Sequence, residues 1–312
     1  MTYPITILVA THGRPDLLER TLRYLAACEL PEEYAGIIIV ENGGRFGAQA
    51  VVENAPPPLR ARYLYQELGN KSRALNLAMA DLTGAALFID DDVRVNPNFL
   101  MCYAHILRTA PLNKFYYGGP IEVDYEEAPP EWLKKYLPFS AVGWRPTSEQ
   151  ITSQDFYFLG ANWCALIDDL KAIGGFVEWA GPGTALRGQE WQMQHQMMKA
   201  GLRPVYLSEP VVWHYVPKEN CTPDWALQRA EKVAIHQGLY YEDSAPKLWG
   251  FPRWMYFAMV KHYARNYWAR LFERDPEKRH QIARELYVLR GIFKGIRGHQ
   301  KGLNSNPAAA KH

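Results

Sequence analysis

The first hundred residues switch repeatedly between short β-rich runs and longer helical patterns, and this alternation limits the fold more than any other feature of the chain. Ile5 to Ala10, Gly36 to Glu41, Ala61 to Tyr65 and Ala85 to Ile89 read as strands. Pro15 to Ala27 and Ser72 to Ala80 carry helical spacing, with Leu17, Leu18, Thr21, Leu22 and Leu25 on the inner face of the first. Strands that alternate with helices build a parallel sheet, and such sheets take ligands beyond the carboxyl ends of their strands. Three polar clusters fall at such ends: Thr11-His12-Gly13-Arg14, Glu41-Asn42-Gly43-Gly44 and Asp90-Asp91-Asp92. They are expected to converge on one crevice.

The acid triplet carries the chemistry. Three adjacent carboxylates at the end of a buried strand repel one another unless a cation sits there. Alternate residues of an extended backbone point the same way, so Asp90 and Asp92 can reach one hard divalent ion while Asp91 turns aside. Oxygen ligands suit Mg²⁺ or Mn²⁺, completed by water and substrate phosphates. The competing reading is a solvated acidic turn capping a helix over Asn98 to Ala110. A dinucleotide-binding fold would need G-x-G-x-x-G after the first strand, where this chain has only Gly13. The phosphate-cradling G-x-x-x-x-G-K-[ST] is also missing, since Gly69-Asn70-Lys71-Ser72 lacks its first glycine.

At 312 residues and 48% hydrophobic, the chain can bury a large core. Cys28, Cys102, Cys164 and Cys221 form no metal or redox spacing, which fits a reducing compartment. No basic stretch precedes a long apolar one at the start of the sequence, and no run approaches the ~20 apolar residues of a membrane span. A cytoplasmic location is therefore expected, with attachment to the inner face of the membrane as a variant of it.

The net charge of +2 conceals an asymmetry. Residues 249–312 hold 13 Lys and Arg against 4 Asp and Glu, so the rest of the chain is net acidic. A basic appendage on an acidic body points to an anionic surface rather than to nucleic acid. Nine of the 24 residues from Trp249 to Phe272 are aromatic, with Arg253, Lys261, Arg265 and Arg270 among them. Phe257, Val260, Ala264, Trp268 and Leu271 follow helical spacing, and a second basic helix is expected over Asp275 to Ile296. Packing on the rest of the chain or in a homodimer is one account of this pattern. Interfacial binding to anionic lipid is the other.

The second half is more irregular. Pro129-Pro130-Glu131-Trp132-Leu133 leads into a short helix, Phe156 to Ile167 reads as β-rich, and Gly188-Gln189-Glu190 precedes a helix from Trp191 to Ala200. Val205 to Leu207 and Val211 to His214 read as short strands. With these pieces in place, residues 3 to about 216 resemble the family 2 inverting glycosyltransferases. The resemblance rests on Thr11 to Pro15, Val40 to Gly44, Gly69 to Asn76, Phe88 to Asp92 with Pro97, Gly160-Ala161-Asn162, Gly174 to Glu178, Gly188-Gln189-Glu190 and Trp213-His214.

That resemblance implies a GT-A fold: an α/β, Rossmann-like, mostly parallel central sheet flanked by helices, here with a helical C-terminal extension. It implies a catalytic domain over residues 1–220, with a nucleotide-sugar half (1–110) and an acceptor-binding, base-bearing half (111–220). An aromatic, basic helical extension (221–303) and a flexible tail (304–312) follow. The implied reaction is inverting transfer of a sugar from a nucleotide-diphosphate donor, UDP- or dTDP-linked, to a hydroxyl of a saccharide or glycolipid. By the same resemblance, Thr11, Arg14, Glu41, Asn42, Lys71, Arg73, Asp90 and Asp91 hold the donor, and Asp90, Asp92 and His214 hold Mn²⁺ or Mg²⁺. Glu190 is the general base, and Glu178, Trp191 and Asn162 meet the acceptor or sugar.

Two positions depart from the family pattern: Glu41 stands where Asp is usual, and Gln189-Glu190 where Glu-Asp is usual. Gln189 cannot accept a proton, which leaves Glu190. Two alternatives stay open, a nucleotidyltransferase acting on sugar phosphates and a catalytically inactive scaffold of the same fold.

Overall fold

The computed structural model describes residues 3–109, 114–179 and 188–300. The tail expected over 304–312 lies outside them. The chain divides into two compact units, one of residues 1–126 and 138–216, the other of residues 127–137 and 217–312.

In chain order the first unit begins with β1 (Ile5–Thr11), α1 (Pro15–Ala26), β2 (Tyr34–Asn42), α2 (Ala48–Glu53), β3 (Ala61–Gln66), α3 (Lys71–Met79) and β4 (Ala85–Phe88). Next come β5 (Val93–Val95), α4 (Phe99–Thr109), β6 (Phe115–Gly118) and β7 (Ile121–Tyr125). A short α5 (Glu131–Lys134) belongs to the other unit. The first unit resumes with α6 (Phe139–Val142), α7 (Ser148–Ser153), β8 (Trp163–Leu166), α8 (Ile167–Ala172), α9 (Gln189–Lys199), β9 (Arg203–Tyr206) and β10 (Val212–Val216).

Seven strands form the main sheet in the order β3-β2-β1-β4-β8-β6-β9, and β5, β10 and β7 form a second. The main sheet is mostly parallel, with β8 antiparallel to both of its neighbours. Every residue of β1 is buried, as a central strand covered on both faces requires. Its side chains divide with period two: Ile5, Ile7 and Val9 join one core with Leu18, Leu22 and Leu25 of α1, while Leu8 and Ala10 join the other with Ala74, Leu75 and Ala78 of α3. From β1 the strand order runs out through β2 to β3 on one side and starts afresh with β4 on the other. That reversal opens a crevice at the carboxyl ends of β1 and β4.

The sequence expectation over Phe156 to Ile167 was too generous, because only Trp163–Leu166 forms a strand. Phe156 and Phe158 are buried aromatics packed on Trp144 and Tyr116, so the apolar run reflects core filling without ladder pairing.

The second unit continues with α10 (Pro223–Leu239), a two-residue pair β11 (Lys247–Leu248) and β12 (Phe251–Pro252), α11 (Arg253–Phe272) and α12 (Pro276–Gln300). Helix α10 lies within the expected helical extension, but it carries no strong apolar stripe from which its bounds could be read. It packs on α12 where glycines let the backbones meet: a Cβ on Gly238 would lie 2.3 Å from the Ile292 carbonyl oxygen, and one on Gly295 2.1 Å from that of Ile235. Glu231 on α10 spans to Arg290 at 3.2 Å and Lys294 at 2.9 Å. The expected helix over Asp275 to Ile296 is α12, and α5 joins it through Trp132 and Tyr136, whose rings rest on His280.

Candidate active site

The acid turn after β4 is pinned from the first loop of the chain. Thr11 Oγ1 donates to Asp91 Oδ2 at 2.6 Å. Arg14, opening α1, pairs with Asp92 at 2.5 Å and also with Asp91. Thr21 stands among the leucines of α1, where its hydroxyl donates to the Asp91 carbonyl at 2.9 Å and accepts from the Val93 amide at 3.0 Å. Its role was missed at the level of sequence, although a hydroxyl in an apolar helix stripe is the kind of signal that marks a buried polar tie. The solvated-turn reading is overturned, because Asp91 is 0% and Asp92 6% exposed and the segment that follows is β5.

The alternation expected along the backbone is present. Asp90, Asp92 and His214 bring ligand atoms within 4.8 Å of one another, the one such group of three among the described residues, while Asp91 faces Thr11 and Arg14. His214 reaches the site because β10 pairs antiparallel with β5, which sets it opposite Val93. Asp92 Oδ1 and His214 Nδ1 are buried without hydrogen-bond partners, and such atoms are costly unless something binds them. Two carboxylates and an imidazole suit Mn²⁺, and Mg²⁺ where water completes the shell. The residues present fit a divalent ion.

Lys71, the first residue of α3, connects this group to the candidate base. Its Nζ lies 2.6 Å from Asp90 Oδ1 and 3.1 Å from Glu190 Oε1. Burial pulls the Lys71 pKa down, but Asp90 and Glu190 together outweigh it and hold the ammonium above the usual lysine range. Burial pushes Asp90 up in turn, and Lys71, His214 and Arg14 bring it below the usual carboxylate range. Asp91 is pushed up to about 6 by burial, with Arg14 opposing and the charges of Asp92 and Asp90 adding to the rise.

Glu190 stands in the first turn of α9, and Gln189 Nε2 donates to its Oε1 at 2.6 Å. Its side chain lies against the bare Cα of Gly160, where a Cβ would come within 2.2 Å of Oε1. The Gly160-Ala161-Asn162 segment therefore leaves room for the carboxylate.

The Asn162 side chain is turned inward. It is 0% exposed, accepts from Tyr103 Oη at 2.7 Å and donates to the carbonyls of Pro120 and Pro210. Its amide serves as an internal brace between these segments. Glu41 is also turned inward: Oε1 accepts from the Phe46 and Ala48 amides, and Oε2 from Tyr63 Oη at 2.7 Å. Here the carboxylate holds the loop into α2. Asn42 donates to the Thr11 carbonyl at 2.8 Å, so Thr11 and Asn42 likewise tie strand ends together.

Arg73 and Glu178 pair at 2.8 Å, both half-exposed. The Glu178 loop is lashed to α3 by Asn70, which caps that helix and donates to the Glu178 carbonyl, and by Asn76, which bonds both backbone groups of Phe176. Trp191 is half-exposed and stacks on His195, with ring centroids 4.8 Å apart.

Comparison with known proteins bears on the fold. The model of the family described as "Glycosyl transferase family 2" matches residues 6–145. No curated protein matches the chain. Among solved structures, a mannosyltransferase of Pyrobaculum calidifontis in complex with GDP-Man and Mn²⁺ is similar over 95% of this chain and 88% of its own, with 15% identity and TM-score 0.57. S. aureus TarS 1-349 in complex with UDP-GlcNAc covers 96% and 92%, with 15% identity and TM-score 0.52. GalNAc-T7 with UDP, GalNAc and Mn²⁺ covers 95% of this chain and 55% of its own, at 11% identity and TM-score 0.51. At these identities the structural likeness speaks for the fold.

Proposed function

We propose that this chain, which matches the family 2 glycosyltransferase model over residues 6–145 and has the GT-A fold, transfers a sugar, with inversion, from a nucleotide-diphosphate donor to a hydroxyl of a saccharide or glycolipid. The observation that carries the reading is the pairing of a divalent-ion group, Asp90, Asp92 and His214, with one carboxylate, Glu190, through Lys71. When bound, Mn²⁺ or Mg²⁺ supplies positive charge against a leaving diphosphate. Arg14 orients Asp91 and Asp92, and Thr11 and Thr21 keep the turn from relaxing outward. Glu190 takes the proton of the acceptor hydroxyl, and the cleft at Gly160 sets where it does so. Lys71 shields Glu190 from Asp90 and presents a cation toward the donor side. Arg73 and Glu178, paired at the half-exposed edge, contact donor phosphate and sugar hydroxyls respectively, and Trp191 offers a flat apolar face to the acceptor.

The neighbouring structures hold GDP-, UDP- and Mn²⁺-containing ligands, which supports a nucleotide-sugar donor. For this chain we favour a UDP- or dTDP-linked sugar and a cytoplasmic reaction. The test is a screen of nucleotide sugars with Mn²⁺, reading nucleoside diphosphate release and the mass of the glycosylated acceptor. Release of the nucleotide as monophosphate in its place would point to a nucleotidyltransferase, and absence of turnover with every donor to a scaffold.

A further inference from the structure

Helix α11 has two unlike sides. One side, marked by buried Met255, Asn266 and Ala269, packs within the second unit against α12. The opposite side carries Phe257, Val260, Trp268 and Leu271 at exposures of 78, 71, 58 and 57%. On an ideal helix these four lie within one face, flanked by the exposed Trp254 and Phe272. The stripe read from the sequence is therefore the outward one, and a different stripe makes the core of the unit. A contiguous apolar face of this size on a single helix marks a docking surface.

Charge decides what docks there. The twenty residues of α11 include Arg253, Lys261, Arg265 and Arg270 and not one Asp or Glu. Arg265 is engaged by Glu285 of α12, which leaves Arg253, Lys261 and Arg270 as exposed cations bordering the aromatics. A second copy of this chain would bring the same face against itself in a two-fold contact, setting cations beside cations with no acid on the helix to answer them. An anionic lipid surface answers them all, and Trp and Tyr are side chains that favour the headgroup layer. No helix among the described residues is long and apolar enough to cross a membrane, so the helix would lie on the surface.

We propose that the outward face of α11 docks on membranes containing anionic phospholipid, with Phe257, Trp268 and Leu271 entering the headgroup region and Arg253, Lys261 and Arg270 meeting lipid phosphates. This goes beyond the transfer reaction and does not depend on it. The experiment is flotation of the full-length protein with vesicles of phosphatidylcholine alone or mixed with phosphatidylglycerol. Binding should be about tenfold or more tighter on the anionic vesicles at low salt, and salt should weaken it.

The double variant Phe257→Ser with Trp268→Ser removes two exposed side chains and should lower that binding about tenfold or more. Independently of any folding effect in the variant, the tryptophan emission of wild-type protein should shift to the blue on anionic vesicles and be quenched by brominated lipid. Indifference of the wild-type protein to anionic vesicles at low salt would overturn the proposal. So would binding that the double variant leaves intact, or a dimer in sedimentation that the same variant dissociates. Donor-binding assays without lipid should not distinguish the variant from wild type, which separates failure here from failure of the transferase reading.

Discussion

The two units break the usual partition of residues in opposite directions. In the first, carboxylates sit inside: Asp91 and Asp92 are buried and crosslinked by Arg14, and Asp90 is held by Lys71. In the second, large apolar side chains stand outside, with Phe257 and Val260 more exposed than not. Buried charge and exposed aromatics are both unfavourable in an isolated molecule. Under the two proposals each marks something the chain meets, an ion and donor in one case and a surface in the other. The difference lies in how each is held: the acid turn is braced from three elements, whereas the aromatic face rests on one helix packed from behind.

The sharpest way to test the buried side is Glu190→Gln, which keeps the shape but cannot take a proton. It should lower kcat by about 10²–10⁴ with donor affinity near normal, and near wild-type turnover would move the base to another carboxylate, Glu178 first. Asp92→Asn is expected to lower transfer by about 10²–10³ and to abolish the effect of Mn²⁺ on donor binding. A wild-type rate that EDTA leaves unchanged would remove the ion from the account.

Gly160→Ala probes the same base from behind. The added methyl would displace the Glu190 carboxylate, which is the mobile end of a side chain. A kcat loss of about 10–10² with an almost unchanged KM and thermal midpoint is therefore expected. Unaltered turnover would mean that the placement of Glu190 is not critical.

The smallest effect belongs to the second unit, where His280 is buried with both ring nitrogens unpartnered. Burial lowers its pKa below the usual imidazole value, the charge of Arg284 adds to the drop, and Asp224 opposes it. The unfolded chain protonates this group near pH 6.5 while the fold keeps it neutral. Its contribution to stability is thus complete above that pH and is lost as the pH falls through and below it. Calorimetry of the full chain between pH 7 and 5 should show the midpoint falling, and His280→Phe should reduce the slope. Equal slopes would place the acid sensitivity elsewhere.

Legibility in the sequence followed the same division between pattern and partner. The β1 to β4 half of the main sheet could be read because its residues alternate or run apolar on the scale of a strand, and the strand ends announced themselves as polar clusters. Helix α10 fell within the expected helical extension, but its bounds could not be read because it packs through glycines and shares its charges with α12 rather than showing a broad apolar stripe. Asp90 and Asp92 share a side as the period-two backbone predicts, whereas His214 joined them in the expectation only through the family resemblance, and the structure brings all three together. The bracing contacts of Glu41 and Asn162 were illegible for a common reason. A polar side chain that braces loops and one that binds a ligand are the same letter, and only the positions of Tyr63, Phe46, Tyr103 and Pro210 distinguish them.

The bridge made by Lys71 has a consequence for the order in which the site can fill. Four carboxylates, Asp90, Asp91, Asp92 and Glu190, share two fixed cations, Arg14 and Lys71. With all four ionised the cluster is two positive charges short of neutrality, the valence of a single alkaline-earth or manganous ion. A donor diphosphate arriving bare would enter a field of its own sign, whereas one escorted by its ion would find the deficit already matched. Metal and nucleotide sugar should accordingly raise each other's affinity, and free nucleotide without metal should be the poorest ligand of the series.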